Sequence, residues 1–152
     1  MLPVKGGIVL VRQARGKNIY HLLPGGGVEA GEDIEAALKR EVFEETGLEC
    51  ELVAPLFISD SIDPDGARHM VQLTFLATVT GGELSVDPND RAILGVEVID
   101  PAALPAIDLR PPMGEALRTA SQHSFDVPAR YLGALWVDEH DAGNTAIPQV
   151  TD

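Results

Sequence analysis

The sequence predicts a single α/β (α+β) domain whose sheet is not a plain βαβ array. Three observations predict it. Short apolar and β-branched runs, bounded by Gly, Pro and Asp, occur in the order strands, helix, strands, helix. The chain has 152 residues, 45% of them apolar and 23% charged, a globular balance that can build one core. No internal repeat or low-complexity tract interrupts the pattern.

Residues 6–11 form a short apolar run suited to a buried strand. Residues 15–18 turn it into a second strand over 19–23, so the two are expected to pair as a hairpin. Pro24 and the three glycines after it end that strand, because Pro lacks a ladder donor and Gly favours unusual backbone angles. Residues 33–46 are the clearest helix: Asp33 is a good N-cap, Glu35 sits in the first turn and Gly47 stands where a C-cap glycine belongs. Strands are expected over 51–58 and 70–80, separated by a loop over 59–67 around Pro64. Gly81 and Gly82 are read as a turn into a strand over 83–86, residues 87–90 as a loop, and 92–99 as another strand. Four prolines then punctuate the chain before a short helix over 113–120. Residues 131–137 carry no charge and are too apolar for water; they either pack on their own sheet or form an interface, a homodimer contact being the candidate. Residues 138–152 are a polar tail, so 121–152 form an extension to a core of about 4–120.

Eleven Lys and Arg oppose 24 Asp and Glu, giving a formal net charge of -13. A field of that sign argues against nucleic-acid or membrane-surface partners. The lone Cys50 excludes an internal disulfide. With no membrane-length apolar run and no signal-peptide layout, a soluble cytoplasmic protein is expected.

The helix breaks three local rules. At 100° per residue, Ile34, Ala37, Leu38 and Val42 form an apolar stripe, yet Glu41 and Glu45 fall inside it and Glu44 at its edge. Core-facing carboxylates are costly unless paired, and they repel one another at i, i+4. Glu44 and Glu45 also lie in the last turn, where the macrodipole prefers cations. Arg40 alone cannot balance three carboxylates, whereas a hard divalent cation can. The other reading is an ordinary charged helix end at a solvated edge. The glycine-rich loop 24–32 brings flexible backbone to the helix N-terminus, where main-chain N–H groups can approach phosphate.

Gly26, Glu32, Arg40-Glu41-Val42, Glu44-Glu45 and Gly47-Leu48 match every specified position of Gx5Ex7REUxEExGU, with U aliphatic. The sequence therefore resembles the Nudix (MutT-like) hydrolase family over about residues 4–120. The resemblance implies the Nudix fold, a mixed β-sheet sandwiched between helices. It implies hydrolysis of the pyrophosphate in a nucleoside diphosphate linked to another group, with Mg²⁺ or Mn²⁺ as cofactor. By the same resemblance Glu41, Glu44, Glu45 and the main chain of Gly26 bind metal, with one of the glutamates assisting the attacking water. Arg40 orients a glutamate and Glu32 supports the shell. Many members use a further acid outside the box. Asp87, Asp90 and Glu97 are candidates, although Asp87 and Asp90 also suit a plain turn.

Substrate choice lies outside the box. Pro64, sixteen residues after Leu48, resembles the ADP-ribose pyrophosphatase pattern, so ADP-ribose or a similar nucleotide sugar is slightly favoured. The alternatives are a nucleoside triphosphate pyrophosphatase and, lower, a non-catalytic nucleotide sensor. Arg12 and Arg68, the latter beside His69, are candidates to meet phosphate or ribose. Tyr20, Phe57 and Phe75 can stack a base or fill a core. The four histidines, at 21, 69, 123 and 140, show no metal-ligand spacing.

Overall fold

The computed structural model describes residues 1–86 and 93–136. Its elements run β1 (Pro3–Val4), β2 (Gly7–Arg15), β3 (Asn18–Leu22), α1 (Ile34–Thr46), β4 (Leu48–Ile62), β5 (His69–Gly82), β6 (Ile93–Ile99), a 3₁₀ helix (Pro101–Ala106), α2 (Gly114–Gln122) and β7 (Arg130–Ala134). The expected loop with Asp87 and Asp90, and the polar tail from 138 with His140, lie outside the described residues.

β2 organises the first sheet. Antiparallel β1 and β3 share one of its edges end to end, and β6 pairs antiparallel along the other. Ile8, Val9, Leu10 and Val11 are all fully buried, which is why this stretch is apolar without alternation. Ile8 and Leu10 pack with Leu56, Phe57 and the α2 residues Leu117 and Ala120. Val9 packs with Val42 of α1 and with Leu48, Cys50 and Ala77. Thus α1 and α2 are held by opposite faces of β2, and the sheets lie between helices as expected. There are two sheets rather than one, however, the second having the order β5-β4-β7.

The long β4–β5 hairpin corrects several boundaries. Residues 59–62 belong to β4, and Gly81 and Gly82 belong to β5, because the ladder runs unbroken in direction from Leu48↔Gly82 to Ile62↔His69. Polar residues 59–61 suit a strand here because the second sheet gives two of them partners: Asp60 bonds Tyr131 and His69, and Ser61 bonds Leu135. The reversal is confined to 63–68, closed by Gly66 N–H to the Asp63 carbonyl at 2.7 Å and Asp63 N–H to the Arg68 carbonyl at 2.8 Å. Residues 83–86 form no strand; the Ser85 N–H instead donates to the Thr46 carbonyl at the end of α1.

The apolar segment near the C-terminus packs on its own domain only in part. β7 adds parallel to β4, and Leu135 is buried in the α2 cluster. Tyr131 and Trp136 nevertheless stay 61% and 41% exposed, so their own domain covers the segment only in part and the homodimer contact stays an expectation from sequence; Val137 lies outside the described residues. Among the described residues no helix is long and apolar enough to cross a membrane.

Candidate active site

The site grows from the loop between β3 and α1. Asp33 caps α1 by accepting the Ala36 N–H at 2.8 Å, and Gly47 closes it in the left-handed conformation at φ 70, its N–H donating to the Phe43 carbonyl. No basic residue sits in the last turn, so Glu44 and Glu45 stand against the dipole as the sequence indicated. The apolar stripe is narrower than expected: Ile34 is exposed, and the buried positions are Ala37, Val42 and Thr46. The Thr46 hydroxyl is buried at no cost, because it donates to the Val42 carbonyl at 2.6 Å and accepts the Leu48 N–H at 3.2 Å.

Arg40 joins the box acids. Its Nη2 and Nε donate to the two oxygens of Glu32 at 2.7 and 3.3 Å, a bidentate pair. Nη1 donates to Glu41 Oε1 at 2.8 Å and reaches Glu44 Oε2 at 3.4 Å, while Nη2 also meets the Gly27 carbonyl at 3.2 Å. The Glu32 carboxylate further accepts the Glu29 N–H at 2.7 Å. Arg40 first, and that backbone bond second, hold the Glu32 carboxyl below its ordinary range. In return the Glu32 and Glu41 carboxylates push the Arg40 guanidinium upwards, so it stays charged throughout.

Glu45 is placed separately. Its Oε2 accepts the N–H of Gly25 at 2.8 Å, which ties the last turn of α1 to the glycine loop. Gly25 has φ 147, a conformation that favours glycine. Gly26 is required for a different reason: a Cβ there would overlap the Glu41 carboxylate. The loop backbone therefore lies directly against a box carboxylate, in a cradle that any side chain at position 26 would fill.

Glu32, Glu41, Glu44 and Glu45 against Arg40 leave three formal negative charges in one small region. Their hard oxygen donors and the unfilled cradle fit a divalent cation such as Mg²⁺ or Mn²⁺. As they stand, Glu41 and Glu44 turn towards Arg40, and among the described residues no three ligating side chains converge on one point. Glu44, with 59% of its side chain exposed, is the acid most open to an incoming ligand.

Of the other candidates, Arg12 and Glu97 meet each other and the rest scatter. Glu97 lies on β6, tied to Arg12 and His21. Arg68 is exposed in the β4–β5 loop, and neighbouring His69 bonds Asp60 on the second sheet. Phe57 is core. The Tyr20 ring is covered by the Arg110 guanidinium 4.6 Å from its centroid. Two participants were missed from sequence: the Gly25 N–H and the Gly27 carbonyl. Main-chain groups leave no mark in side-chain identity, but the run of glycines was the available signal.

The NUDIX domain profile matches residues 1–120. The chain is 45% identical over 69 residues to an ADP-ribose pyrophosphatase of Methanocaldococcus jannaschii, covering 45% of this chain and 41% of that protein. It is 34% identical over 83 residues to a putative 8-oxo-dGTP diphosphatase of Bacillus subtilis, covering 55% and 52% respectively. The chain thus spans about half the length, or less, of these relatives. Its fold matches a NUDIX hydrolase from Nitrosomonas europaea with a TM-score of 0.66 at 24% identity, over 81% of this chain and 84% of the other. With the box complete and the profile matched over most of its length, the chain belongs to the NUDIX family.

Proposed function

We propose that this chain is a metal-dependent pyrophosphohydrolase that cleaves the phosphoric anhydride of a nucleoside diphosphate derivative. The observation that carries the reading is the juxtaposition of the Gly26 backbone with the Glu41 carboxylate, next to Glu44 and Glu45 and braced by Arg40. Glu41, Glu44, Glu45 and the Gly26 main chain would hold Mg²⁺ or Mn²⁺. A bound divalent cation neutralises pyrophosphate charge, orients the anhydride and lowers the pKa of a coordinated water. Arg40 keeps Glu41 and Glu32 in place, and Gly25 fixes Glu45 through its N–H. Glu44, the most accessible of the acids, takes the proton from the attacking water.

A nucleotide sugar such as ADP-ribose is the favoured substrate, supported by the position of Pro64 and by the activity named for the Methanocaldococcus relative. The second reading, a nucleoside triphosphate pyrophosphatase, is supported by the name of the Bacillus relative. Incubating the protein with ADP-ribose, other nucleotide sugars and nucleoside triphosphates, in Mg²⁺ or Mn²⁺, and identifying the products decides between them. AMP and ribose 5-phosphate from ADP-ribose support the first; a nucleoside monophosphate and pyrophosphate support the second. Full turnover in excess chelator overturns the metal-dependent mechanism.

A further inference from the structure

Three strands bring Arg12, His21 and Glu97 onto one face of the first sheet. Arg12 stands opposite His21 in the β2–β3 register, and Glu97 lies one diagonal step away on β6. Arg12 Nη1 is 3.2 Å from Glu97 Oε1, and His21 Nε2 is 3.2 Å from Glu97 Oε2. The cluster is partly open, with side-chain exposures of 40%, 15% and 34% for Arg12, His21 and Glu97. Two of its nitrogens, Arg12 Nε and His21 Nδ1, are out of solvent and lack a hydrogen-bond partner. Folded proteins leave few such atoms, and each calls for an explanation.

The backbone around Arg12 is also irregular. The residue across from it on β6 is Gly95, where a Cβ would stand 3.8 Å from Arg12 Nη2. The register slips between Arg12 and Gln13, so that Leu94 is an extra residue on β6. In-strand glycines and bulges occur where a sheet re-aims a side chain or lets a ligand approach. Gly25 follows His21 by four positions, so their Cα atoms are at most about 14 Å apart, a spacing within the length of a nucleotide.

We propose that Arg12 and Glu97 form a nucleobase-recognition subsite, with His21 as the positioning residue that aims Glu97. A guanidinium beside a carboxylate complements a base edge that presents an acceptor next to an N–H donor, since Arg only donates and an ionised Glu only accepts. The proposal rests on the reading of the chain as a nucleotide hydrolase and deepens it.

Calorimetric titration of the metal-free full chain with AMP, GMP, UMP and ribose 5-phosphate tests it, alongside steady-state kinetics on the best substrate. Arg12→Lys and Glu97→Gln, the conservative variants, should weaken binding of nucleoside monophosphates roughly tenfold or more. Ribose 5-phosphate binding should stay as in the wild type. KM should rise far more than kcat falls. His21→Ala should show the same split with a smaller change, and thermal melts should report folded variants. Unchanged monophosphate binding in both Arg12→Lys and Glu97→Gln overturns the subsite. So does an equal loss for ribose 5-phosphate, which would place the contacts on sugar or phosphate. A wild type that hydrolyses no anhydride, yet binds monophosphates through Arg12, overturns the hydrolase reading and leaves the subsite standing. A wild type that hydrolyses well, with KM indifferent to both variants, does the reverse.

Discussion

The two α-helices of this protein hold themselves in place by opposite means. α1 has well-made ends, an Asp33 N-cap and a Gly47 C-cap, but buries only Ala37, Val42 and Thr46. α2 has no side-chain cap at Met113, yet it packs Leu117 and Ala120 fully into the core. Its charged residues Glu115 and Arg118 pair with each other on the outside. The ends of α1 and the Arg40 network take over the holding that an apolar face does for α2. A helix that gives part of its inward side to carboxylates must be anchored by caps and charge, and that leaves the carboxylates available for chemistry.

The comparison is broken most directly through turnover. Glu44→Gln and Glu45→Gln in α1 should each lower metal-dependent hydrolysis by at least roughly 100-fold, while Glu115→Gln in α2 stays near wild type. Comparable losses in both helices, measured by initial rates with Mg²⁺, would remove the distinction. Gly26→Ala should cost roughly 10- to 100-fold in the same assay, since its methyl displaces the Glu41 carboxylate.

Stability should show the opposite pattern. Leu117→Ala should destabilise the fold by about 2–5 kcal/mol in urea titrations, with per-molecule turnover retained in the folded fraction. Metal binding sharpens the contrast further: at a free Mg²⁺ of about 100 times Kd the fold should gain about 2.7 kcal/mol, seen as a higher melting temperature. Glu45→Gln should abolish most of that gain while leaving the metal-free protein as stable as before, or more so. A clear loss of metal-free stability would mean the Gly25–Glu45 bond matters more to the fold than to the ligand.

The smallest effect concerns pH. Glu32 titrates below its ordinary value of 4.5 because Arg40 and the Glu29 N–H stabilise its charge. A depressed carboxyl binds fewer protons folded than unfolded, so its contribution is present above that value and is lost as the pH falls below it. Arg40→Met should flatten this part of the acid unfolding curve. An unchanged slope would show that the backbone bond alone holds Glu32.

Much of this was legible from residue order. The β2–β3 hairpin, both ends of α1 and the acid cluster followed from local chemistry, because caps, turns and periodicity act within a few residues. The long hairpin was misread at residues 59–62 and 81–86 because Asp60, Ser61 and two glycines look like turn formers. Their strand conformation is set by partners far along the chain, as in the Asp60–Tyr131 and Ser61–Leu135 bonds. The fate of residues 131–135 was undecidable for the same reason: a parallel strand is specified by the strand it joins. That Arg40 orients a glutamate was implied by the resemblance, but not that the partner would be Glu32, nor that Arg12, His21 and Glu97 would cluster from three strands, since register is invisible to a motif.

The parallel placement of β7 has a consequence for synthesis. The Leu135 N–H donates to the Asp60 carbonyl at 2.6 Å, and the Ser61 hydroxyl reaches back across 74 residues to the Leu135 carbonyl. A nascent chain that has already paired β4 with β5 must keep one edge of β4 open until residue 135 leaves the ribosome. At about 5–20 residues per second that interval lasts several seconds. During it the unpaired strand edge at residues 57–60 is open to any other nascent chain nearby. The order in which the strands are translated, rather than the final stability of the fold, then sets when the molecule is most exposed to misassociation.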